Sequence, residues 1–593
     1  MTSKNLLLRG LRALGAYLLV MALPVLSLSG CGGGGGGGSV PYSGVEIRPL
    51  TPDYLTRRAI NYSPFRTSAS SADLASEVIP AANIRQDLDL MLAAGFRLIR
   101  LFDSSDKVAR QTLQLIRTHN LNMKVHLGSY VVSGNEAASV AELARTVVLA
   151  NEFPDIVLAV SVGNETMVSW SPNKIEPAVM ARYIRKVRSQ IKQPVTTDDN
   201  YAFWAAVPTL ITDEIDFVAL HTYAELDTVF DPTRWDWKQL GVPAGTRAQA
   251  MMDAALAETK RQYQQARAYI DSKGLSYIPI VIGETGWNAV NLGRLRFRAS
   301  PVNQKMYLDR LDAWMMQSRS ANSGPRQVFY FQAFDEPWKQ GDDQWGLFNK
   351  DRQARYAIQS INRNGAPAGT AIWTYEPVAP EYDLNRDGAY SEADAQSFQP
   401  AAVGSPISAT RYTLYSDKPL AASEVRASGL RWDAFDGITA SYAEISDAYA
   451  PGDASQSFEI RPQPVGYGWG LLHYSATEQA DNLSGYAATG FLNFTVSTTY
   501  PGKIEIGIST DTAERETEEA YLQIEPGRYG YCSTGAWCQV SIPLRDFLAM
   551  NPKLDLSMVL ARFIIADRYA FTGKASGAGH TNRIRLDNIH WSR

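Results

Sequence analysis

Between residues 59 and 354, short runs of apolar and β-branched residues alternate with segments that have the periodicity of amphipathic helices, such as 84–94, 141–151 and 178–191. The eight predicted strands are residues 59–65, 96–102, 123–130, 157–165, 195–200, 217–223, 278–287 and 328–335. Alternating strands and helices form parallel βα units, and eight units in about 300 residues predict a (β/α)8 barrel. A doubly wound open sheet would have fewer strands and a glycine-rich phosphate loop, and the sequence shows neither.

The pattern changes after the predicted barrel, which we place at residues 46–365. Pro, Ala, Gly and Ser dominate residues 366–405, which predicts a linker. Short strand-like runs separated by turns follow at 490–496, 503–509, 540–543, 559–565 and 583–591. This spacing is typical of an all-β jelly roll or antiparallel sandwich, which we predict over residues 406–593.

The N-terminus resembles an export signal. Basic residues precede an apolar run over 16–28 that is too short for a lasting transmembrane helix. The run ends in LSGC at 28–31, which resembles the bacterial lipobox and predicts lipidation of Cys31; ordinary secretion with an incidental cysteine is the alternative. Gly32, where inner-membrane lipoproteins have Asp, resembles an outer-membrane address. The predicted boundaries are 1–30 for the lipoprotein signal peptide and 31–45 for a glycine-rich tether.

Composition narrows the classes of partner. The net charge of −4 gives no basic face of the kind that nucleic-acid binding requires, so we expect no nucleic acid partner. The 13 tryptophans and 29 tyrosines suit carbohydrate stacking, although dense β-structure also uses aromatic residues. In an oxidising compartment, Cys532 and Cys538 are expected to form a disulfide.

Two carboxylates stand at strand ends where barrel enzymes place their chemistry. The fourth predicted strand ends at Glu165 and the seventh contains Glu284, each close to a glycine. A lone glutamate at a strand end is often only a solvated charge. Two such residues at one barrel mouth fit glycosidic cleavage, in which one carboxyl protonates the leaving oxygen and the other attacks. Glu165 suits the acid/base, with Asn164 holding a sugar hydroxyl, and Glu284 suits the nucleophile.

Three motifs resemble the signatures of glycoside hydrolase family 17: VGNE at 162–165, GETGW at 283–287 and FDEPWK at 334–339. The run INYSPF at 60–65, which includes Tyr62, is similar to the first strand of that family. The resemblance implies a (β/α)8 retaining enzyme that acts on β-1,3- or mixed-linkage glucans without a cofactor for catalysis. It implies Glu165 as acid/base and Glu284 as nucleophile.

The same resemblance implies that Glu336 and Lys339 lie beside the nucleophile, where the lysine would help to keep Glu284 ionised; a surface ion pair is the alternative. Tyr223 is expected to hydrogen-bond Glu284 or the sugar, and His221 to shape the pocket. Further candidates for sugar contact are Tyr62, Asp103, Tyr130, Asp198, Asn200, Trp287, Trp338 and Trp345. For the tryptophans, packing in the barrel core is an equal alternative.

The predicted linker contains a loop with the ligand spacing of an EF-hand. Its candidate calcium ligands are Asp383, Asn385, Asp387, Ala389 through its carbonyl, and Asp394, with Gly388 at the sharp turn. The last position is Asp rather than Glu, and prolines interrupt the preceding segment. A dockerin-like half-motif is therefore the closer comparison, and an Asp/Asn-rich turn is the alternative.

The last domain resembles the carbohydrate-binding jelly rolls that accompany glucanases. Tyr467, Trp469 and Trp537 are candidates for a sugar platform, and Asp587 is a candidate for a structural calcium ligand. A domain that only supports the barrel is the alternative.

The sequence therefore predicts a membrane-anchored β-1,3-glucanase whose partner is a β-glucan polysaccharide. A β-1,3-glucan glucanosyltransferase is the alternative within the same mechanism, since only the acceptor of the covalent intermediate differs. A non-catalytic glucan-binding lipoprotein is the alternative from another class, but such a protein has no need of both carboxylates. Endo or exo action stays open.

Overall fold

A computed structural model describes residues 46–398 and 401–593, apart from short internal gaps. The gaps are 231–232, 292–294, 296, 322, 340–342, 360–372, 436–438, 447, 454, 464–467, 476–478, 513–516 and 569–581. The predicted signal peptide, the tether and Cys31 lie outside the described residues. The described chain forms two compact units that divide after Phe398. Within these ranges, none of the helices is long and apolar enough to cross a membrane.

The first unit contains a closed barrel of eight parallel strands in chain order. The strands are β1 (Ala59–Asn61), β2 (Leu98–Leu101), β3 (Lys124–Ser129), β4 (Val157–Asn164), β5 (Val195–Asn200), β6 (Val218–His221), β7 (Ile280–Thr285) and β8 (Val328–Tyr330). Pairing of β8 with β1, Phe329 opposite Ala59, closes the ring. Each strand lies within one of the predicted runs, and the predicted barrel is confirmed.

Helices surround the barrel. They are α1 (Pro52–Thr56), α2 (Ala81–Ala93), α3 (Gln111–Thr118), α4 (Glu136–Glu152), α5 (Pro177–Arg188), α6 (Tyr201–Trp204), α7 (Thr209–Thr212), α8 (Ala224–Phe230), α9 (Arg247–Ser272), α10 (Pro301–Ala321) and α11 (Tyr356–Gln359). The three helical patterns used for the prediction fall on α2, α4 and α5. Because helices cover the outer face and side chains fill the interior, both faces of each strand are buried, which explains the nearly continuous apolar runs.

The interior of the barrel changes from apolar to polar along the strands. Ala59, Leu98 and Ala219 belong to an apolar layer near the strand starts, where Tyr54 from α1 packs against them. Side chains alternate with a period of two in a strand, so the residues two positions further on also face inward. These are Asn61, Arg100 and His221, all buried. The polar layer thus lies at the carboxyl ends of the strands.

The described part of the predicted linker belongs to the barrel unit. Trp373 and Phe398 are both buried in the core of that unit. The backbone N–H of Ala354 donates to the carbonyl of Thr374, and that of Glu376 donates back to Ala354. The compact unit therefore extends to Phe398, beyond the boundary expected at residue 365.

The second unit is a sandwich of two sheets. Its strands are β9 (Arg411–Tyr415), β10 (Glu424–Arg426), β11 (Leu430–Ala434), β12 (Ala440–Ile445), β13 (Ser457–Pro462), β14 (Gly468–Ser475), β15 (Phe491–Thr498), β16 (Ile504–Thr510), β17 (Glu518–Ile524), β18 (Trp537–Pro543), β19 (Val559–Arg568) and β20 (Ile584–Ser592), with one helix, α12 (Leu544–Met550). One sheet has the order β11-β14-β19-β16-β17, and the other contains β10, β9, β20, β13, β12, β15 and β18. The predicted all-β domain is confirmed.

The core of the sandwich lies between the two sheets. Alternate residues of facing strands fill it, for example Ile504, Ile506 and Ile508. Cys532 and Cys538 form a disulfide that joins the start of β18 to the preceding loop. Trp469 is also buried in this core, and its indole N–H donates to Tyr500. It therefore cannot serve as the sugar platform for which the sequence made it a candidate.

Candidate active site

Glu165 leaves the barrel at the carboxyl end of β4 through an unusual backbone turn. Gly163 has φ +86° and Glu165 itself has φ +49°, a region that side-chain-bearing residues rarely occupy. The backbone N–H of Glu165 donates to the carbonyl of Asp198 on β5 at 2.8 Å, which fixes this turn. The Glu165 side chain remains 40% exposed. The fold thus holds this carboxyl in position while leaving it accessible to a ligand.

Glu284 lies on β7 and is almost fully buried, with its side chain 7% exposed. Its Oε1 accepts a hydrogen bond from Arg100 at 2.7 Å, and its Oε2 accepts one from the Tyr223 hydroxyl at 2.6 Å. The preceding residue must be small, because a Cβ at Gly283 would lie 2.5 Å from Asp198 Oδ1. The predicted contact between Tyr223 and Glu284 is present in the structure.

Arg100 on β2 is the centre of the polar layer, and it is not among the site residues predicted from the sequence. The guanidinium is buried and also donates to Asn61 at 3.0 Å, to Asn164 at 2.5 Å and to Asp198 at 3.1 Å. The run 96–102 contains two arginines, Arg97 and Arg100, among apolar residues, and this was the available signal, because a buried charge needs partners. Asn164, expected to bind a sugar hydroxyl, has its carbonyl oxygen oriented by this arginine.

His221 at the end of β6 lies between the two glutamates. Its Nδ1 is 3.0 Å from Glu165 Oε1, and its Nε2 is 3.6 Å from Glu284 Oε1 and 3.9 Å from Asp198 Oδ1. Burial alone would lower the pKa of His221, but Glu284, Asp198 and Glu165 outweigh it and raise that pKa to about 10. At neutral pH the ring is therefore an imidazolium, whose Nδ1 donates to Glu165 and whose positive charge lies within ion-pair distance of Glu284.

This environment separates the two glutamates electrostatically. Burial would raise the pKa of Glu284, but the charges of His221 and Arg100 and the Tyr223 hydrogen bond hold it below its usual range. Burial likewise opposes ionisation of Asp198, and Arg100 overcomes it, so the pKa of Asp198 is also lowered. Glu284 is thus kept as a carboxylate, the form in which it can act as a nucleophile.

Asp199 is a buried carboxyl that is not among the site residues predicted from the sequence. It lies next to Asp198 on β5 and accepts hydrogen bonds from the backbone N–H groups of Met167 at 2.7 Å and Asn200 at 2.8 Å. Burial and the charge of Glu165 raise the pKa of Asp199 to about 7. Asp199 therefore ties the segment that follows Glu165 to β5.

The FDEPWK segment after β8 contributes an ion pair. Lys339 Nζ lies 2.6 Å from Glu336 Oε2, which also accepts a hydrogen bond from Gln332 at 3.0 Å. The sequence resemblance implied that Lys339 helps to keep Glu284 ionised. In the structure, the cations that lower the pKa of Glu284 are His221 and Arg100.

Two of the predicted sugar-binding aromatic residues are structural, which corrects those predictions. Tyr62 is completely buried and its hydroxyl donates to Asp87 at 3.1 Å. Trp287 is also completely buried, with its N–H donating to the Arg298 carbonyl at 3.1 Å. Both occupy the space between barrel and helices, where large aromatic side chains fill volume and have no face left for a sugar.

Some of the remaining candidates hold neighbouring residues in place, and others are partly exposed at the surface. Trp345 is buried against the ring of Tyr223, with centroids 5.4 Å apart, and so holds the tyrosine in place. Asn200 caps α6 by accepting from the N–H of Ala202. Trp338 is partly exposed, and Tyr130 is 47% exposed at the end of β3.

The EF-hand-like loop folds around its own carboxylates. Asp383 accepts from the backbone N–H groups of Asp387 at 3.2 Å and Gly388 at 2.9 Å, and Asp394 accepts from Asn385 and Ser391. The sharp turn expected at Gly388 is present, with φ +79°. The backbone turn therefore fits a calcium loop, although in the described residues no three acidic, histidine or cysteine side chains are arranged around a metal position.

Comparison with known proteins gives two domain matches and several relatives. A glucan 1,3-beta-glucosidase of Arthroderma benhamiae is 23% identical over 290 residues, which cover 46% of this chain and 83% of that protein. A probable glucan endo-1,3-beta-glucosidase btgC of Aspergillus clavatus is 24% identical over 309 residues, 48% of this chain and 40% of that protein. The crystal structure of an endo-laminarinase from Formosa has 25% sequence identity and a TM-score of 0.46, and the match covers 52% of this chain and 90% of that one.

The domain matches coincide with the two structural units. Residues 59–347 match the BtgE/BtgC glycoside hydrolase domain, and residues 430–593 match carbohydrate binding domain 30. The family resemblance drawn from the strand-end motifs is confirmed. The chain therefore carries a glycoside hydrolase domain of the BtgE/BtgC type, similar to family 17, followed by a family 30 carbohydrate-binding domain.

Proposed function

We propose that this glycoside hydrolase cleaves β-1,3-glucan with retention of configuration, using Glu284 as nucleophile and Glu165 as acid/base. The observation that carries the proposal is the unequal environment of the two carboxyls. Glu284 is buried and held ionised by Arg100, His221 and Tyr223, whereas Glu165 is accessible and has one charged donor, His221. The substrate class is supported by the two curated relatives, whose names specify 1,3-beta-glucosidases.

The reaction proceeds in two steps. The Glu284 carboxylate forms a bond to the anomeric carbon while Glu165 gives its proton to the departing glycosidic oxygen. In the second step, a water molecule attacks the anomeric carbon and the bond between that carbon and Glu284 breaks. Glu165, now a carboxylate, takes a proton from the attacking water. The proton on Glu165 is restored and the product keeps its β configuration. The positive charge of His221 lies beside both glutamates, with its Nδ1 on Glu165 and its Nε2 3.6 Å from Glu284, so it stabilises the negative charge that each of them bears in turn.

Activity assays with single substitutions test this assignment. We expect the wild-type protein to release sugars from laminarin, and Glu284→Ala and Glu165→Ala to lose at least about a thousandfold in rate. Azide should restore activity to Glu165→Ala and give a β-glucosyl azide, because the nucleophile is intact. Glu152→Ala, an exposed residue of α4, is the matched control and should retain full activity. Full activity of Glu284→Ala would refute the mechanism.

Substrate preference and the fate of the intermediate need separate measurements. Lichenan and cellulose test whether mixed or β-1,4 linkages are cleaved in place of β-1,3 linkages. If a second sugar replaces water as acceptor, laminari-oligosaccharides longer than the starting substrate will accumulate, and the enzyme is a glucanosyltransferase. Hydrolysis predicts only shorter products at all times of the reaction.

We further propose that the C-terminal domain keeps the enzyme on its polysaccharide. Its match to carbohydrate binding domain 30 supports this role. Affinity electrophoresis of the full chain in gels that contain laminarin or barley β-glucan, with the catalytic residue Glu284 replaced by Ala, tests it. Unretarded migration in every gel would contradict the proposal.

We propose that the chain is an exported lipoprotein anchored in the outer membrane through Cys31. The apolar run over 16–28, the LSGC sequence and Gly32 support this proposal. Palmitate labelling of the wild-type protein and its loss in Cys31→Ser, together with membrane fractionation, are the tests. Equal labelling of both proteins would contradict it.

We also propose that residues 383–394 bind a structural calcium ion. The ligand spacing and the turn at Gly388 support the proposal. The side-chain oxygen atoms of Asp383, Asn385 and Asp387 would coordinate the calcium ion. The bound ion would stabilise this part of the barrel unit. Calorimetric titration should show one site per chain that disappears in Asp383→Ala; the absence of any binding heat would contradict the proposal.

A further inference from the structure

The segment 373–398, which follows the barrel strands in the chain, brings a carboxylate to the loop after β8. Glu376 in this segment accepts a hydrogen bond from Arg355 Nε at 3.1 Å. Its backbone is also fixed, because its N–H donates to the carbonyl of Ala354 at 2.9 Å. The part of the chain that matches the glycoside hydrolase domain ends at residue 347, so this ion pair lies outside it.

Arg355 is buried and binds the loop after β8 at two places. One amino group donates to Asp335 at 2.8 Å and to the carbonyl of Gly346 at 2.9 Å. The other donates to Asp335 at 2.6 Å and to Gln344 Oε1 at 2.7 Å. Gln344 and Gly346 are the two neighbours of Trp345 in the chain. The arginine therefore holds the residues on both sides of this buried tryptophan.

Trp345 connects the arginine to the nucleophile. Its ring packs edge-on against the ring of Tyr223, with centroids 5.4 Å apart. The Tyr223 hydroxyl in turn donates to Glu284 Oε2 at 2.6 Å. In a close-packed interior, a displaced tryptophan leaves its neighbour without support. A continuous series of contacts thus joins the segment 373–398 to the nucleophile.

Glu376 supplies a negative charge that Arg355 needs. Burial would lower the pKa of Arg355, but Asp335 and Glu376 outweigh it and raise that pKa. Burial raises the pKa of Asp335 to about 7, although Arg355 opposes the rise. Asp335 is therefore protonated in part of the molecules at neutral pH. A buried guanidinium that loses its remaining carboxylate partner is strongly destabilised.

We infer that Glu376 is a positioning residue for the proposed glycosidic cleavage and acts through Arg355 and Trp345 on Tyr223. The inference rests on the proposed function and extends it to a residue beyond the matched domain. Without Glu376, the guanidinium would turn toward other acceptors and release the neighbours of Trp345. Tyr223 would then hold the nucleophile less firmly, so the chemical step would slow while substrate binding would change little.

Steady-state kinetics of the full chain on laminarin test the inference. Glu376→Ala should lower kcat by about tenfold and leave KM within about twofold of wild type. Glu376→Gln keeps an oxygen that can accept from Arg355, so it should recover most of the lost kcat. In the double variant with Tyr223→Phe, the loss should be far smaller than the product of the two single losses. The reason is that both substitutions act on the same hydrogen bond to Glu284.

Arg355→Lys provides a second test, because lysine keeps the charge but lacks the fork that joins Asp335 to the neighbours of Trp345. It should show the same loss of kcat and the same dependence on Tyr223. Glu381→Ala is the matched control, because Glu381 is an exposed glutamate of the same segment. It should leave kcat and KM unchanged.

The outcomes separate this inference from the proposed function. Wild-type kcat in both Glu376→Ala and Arg355→Lys would overturn the inference and leave the proposed function standing. Single losses that multiply fully in the double variant would do the same, because they would show a role that does not pass through Tyr223. If the wild-type chain does not cleave laminarin, the proposed function fails and this inference fails with it.

Discussion

Replacement of Tyr223 by Phe isolates one contribution to the state of Glu284. The substitution removes a single oxygen and with it the 2.6 Å hydrogen bond to Glu284 Oε2. The ring would still pack edge-on against Phe331 and Trp345, so the fold should be preserved. Arg100 and His221 remain to hold the other carboxylate oxygen.

The size of the expected change in the pKa of Glu284 depends on the negative charge of the carboxylate that accepts the hydrogen bond. A hydrogen bond to an ionised group contributes about 1.5 to 3 kcal/mol, and one pKa unit corresponds to about 1.4 kcal/mol. Losing the bond should therefore raise the pKa of Glu284, because the carboxylate form loses that stabilisation. Because that pKa is lowered in the wild-type protein, removing a stabilising donor moves it upward. The acidic limb of the pH profile must shift to higher pH, with a loss of about tenfold or more in kcat/KM.

The assay is the pH dependence of kcat/KM on laminari-oligosaccharides for wild type and Tyr223→Phe. Tyr62→Phe is the matched control, because it removes a buried tyrosine hydroxyl that is bonded to Asp87 rather than to Glu284. The control should be less stable to heat but have an unshifted acidic limb. The reasoning is refuted if Tyr223→Phe leaves the limb in place, or if both variants shift it equally.

Three further substitutions test the polar layer. Arg100→Lys should lower the free energy of unfolding by about 3 kcal/mol in denaturant titrations, because lysine lacks the guanidinium fork that joins four partners, and retention of wild-type stability would contradict this. Burial raises the pKa of Asp199 to about 7, so its contribution to stability is present at low pH and is lost as pH rises through 7. The free energy of unfolding of Asp199→Asn should therefore fall less than that of wild type between pH 5 and pH 8. Equal falls in the two proteins would contradict the raised pKa of Asp199. The pKa of His221 is raised to about 10, so its stabilisation is complete below the ordinary value near 6.5 and is lost as pH rises through 10; His221→Gln should lack this alkaline loss, and an unchanged loss would contradict the charged imidazole.

The sequence by itself was enough to predict the barrel and the two glutamates, because the patterns that reveal them lie within short stretches of the chain. Parallel strands buried on both faces must be short apolar runs, so β1 to β8 could be located from hydrophobicity alone. Chemistry in such barrels occurs at the strand ends, and Glu165 and Glu284 stand there, each within two positions of a glycine. The all-β domain was equally visible, because its turns recur at short intervals between β-branched runs.

Tertiary structure alone decided how the site is charged and which aromatic residues reach solvent. Arg100, His221 and Asp198 come from three different strands, and no sequence pattern states that they meet around Glu284, where Arg100 donates to Glu284 and to Asp198 and His221 lies 3.6 Å from Glu284. Tyr62 and Trp287 looked like sugar contacts because aromatic residues serve stacking and packing equally well. Burial distinguishes the two uses, and burial depends on every element that surrounds a residue. The sequence thus located the two carboxyls, and closure of the barrel brought together the charges that give them different chemistry.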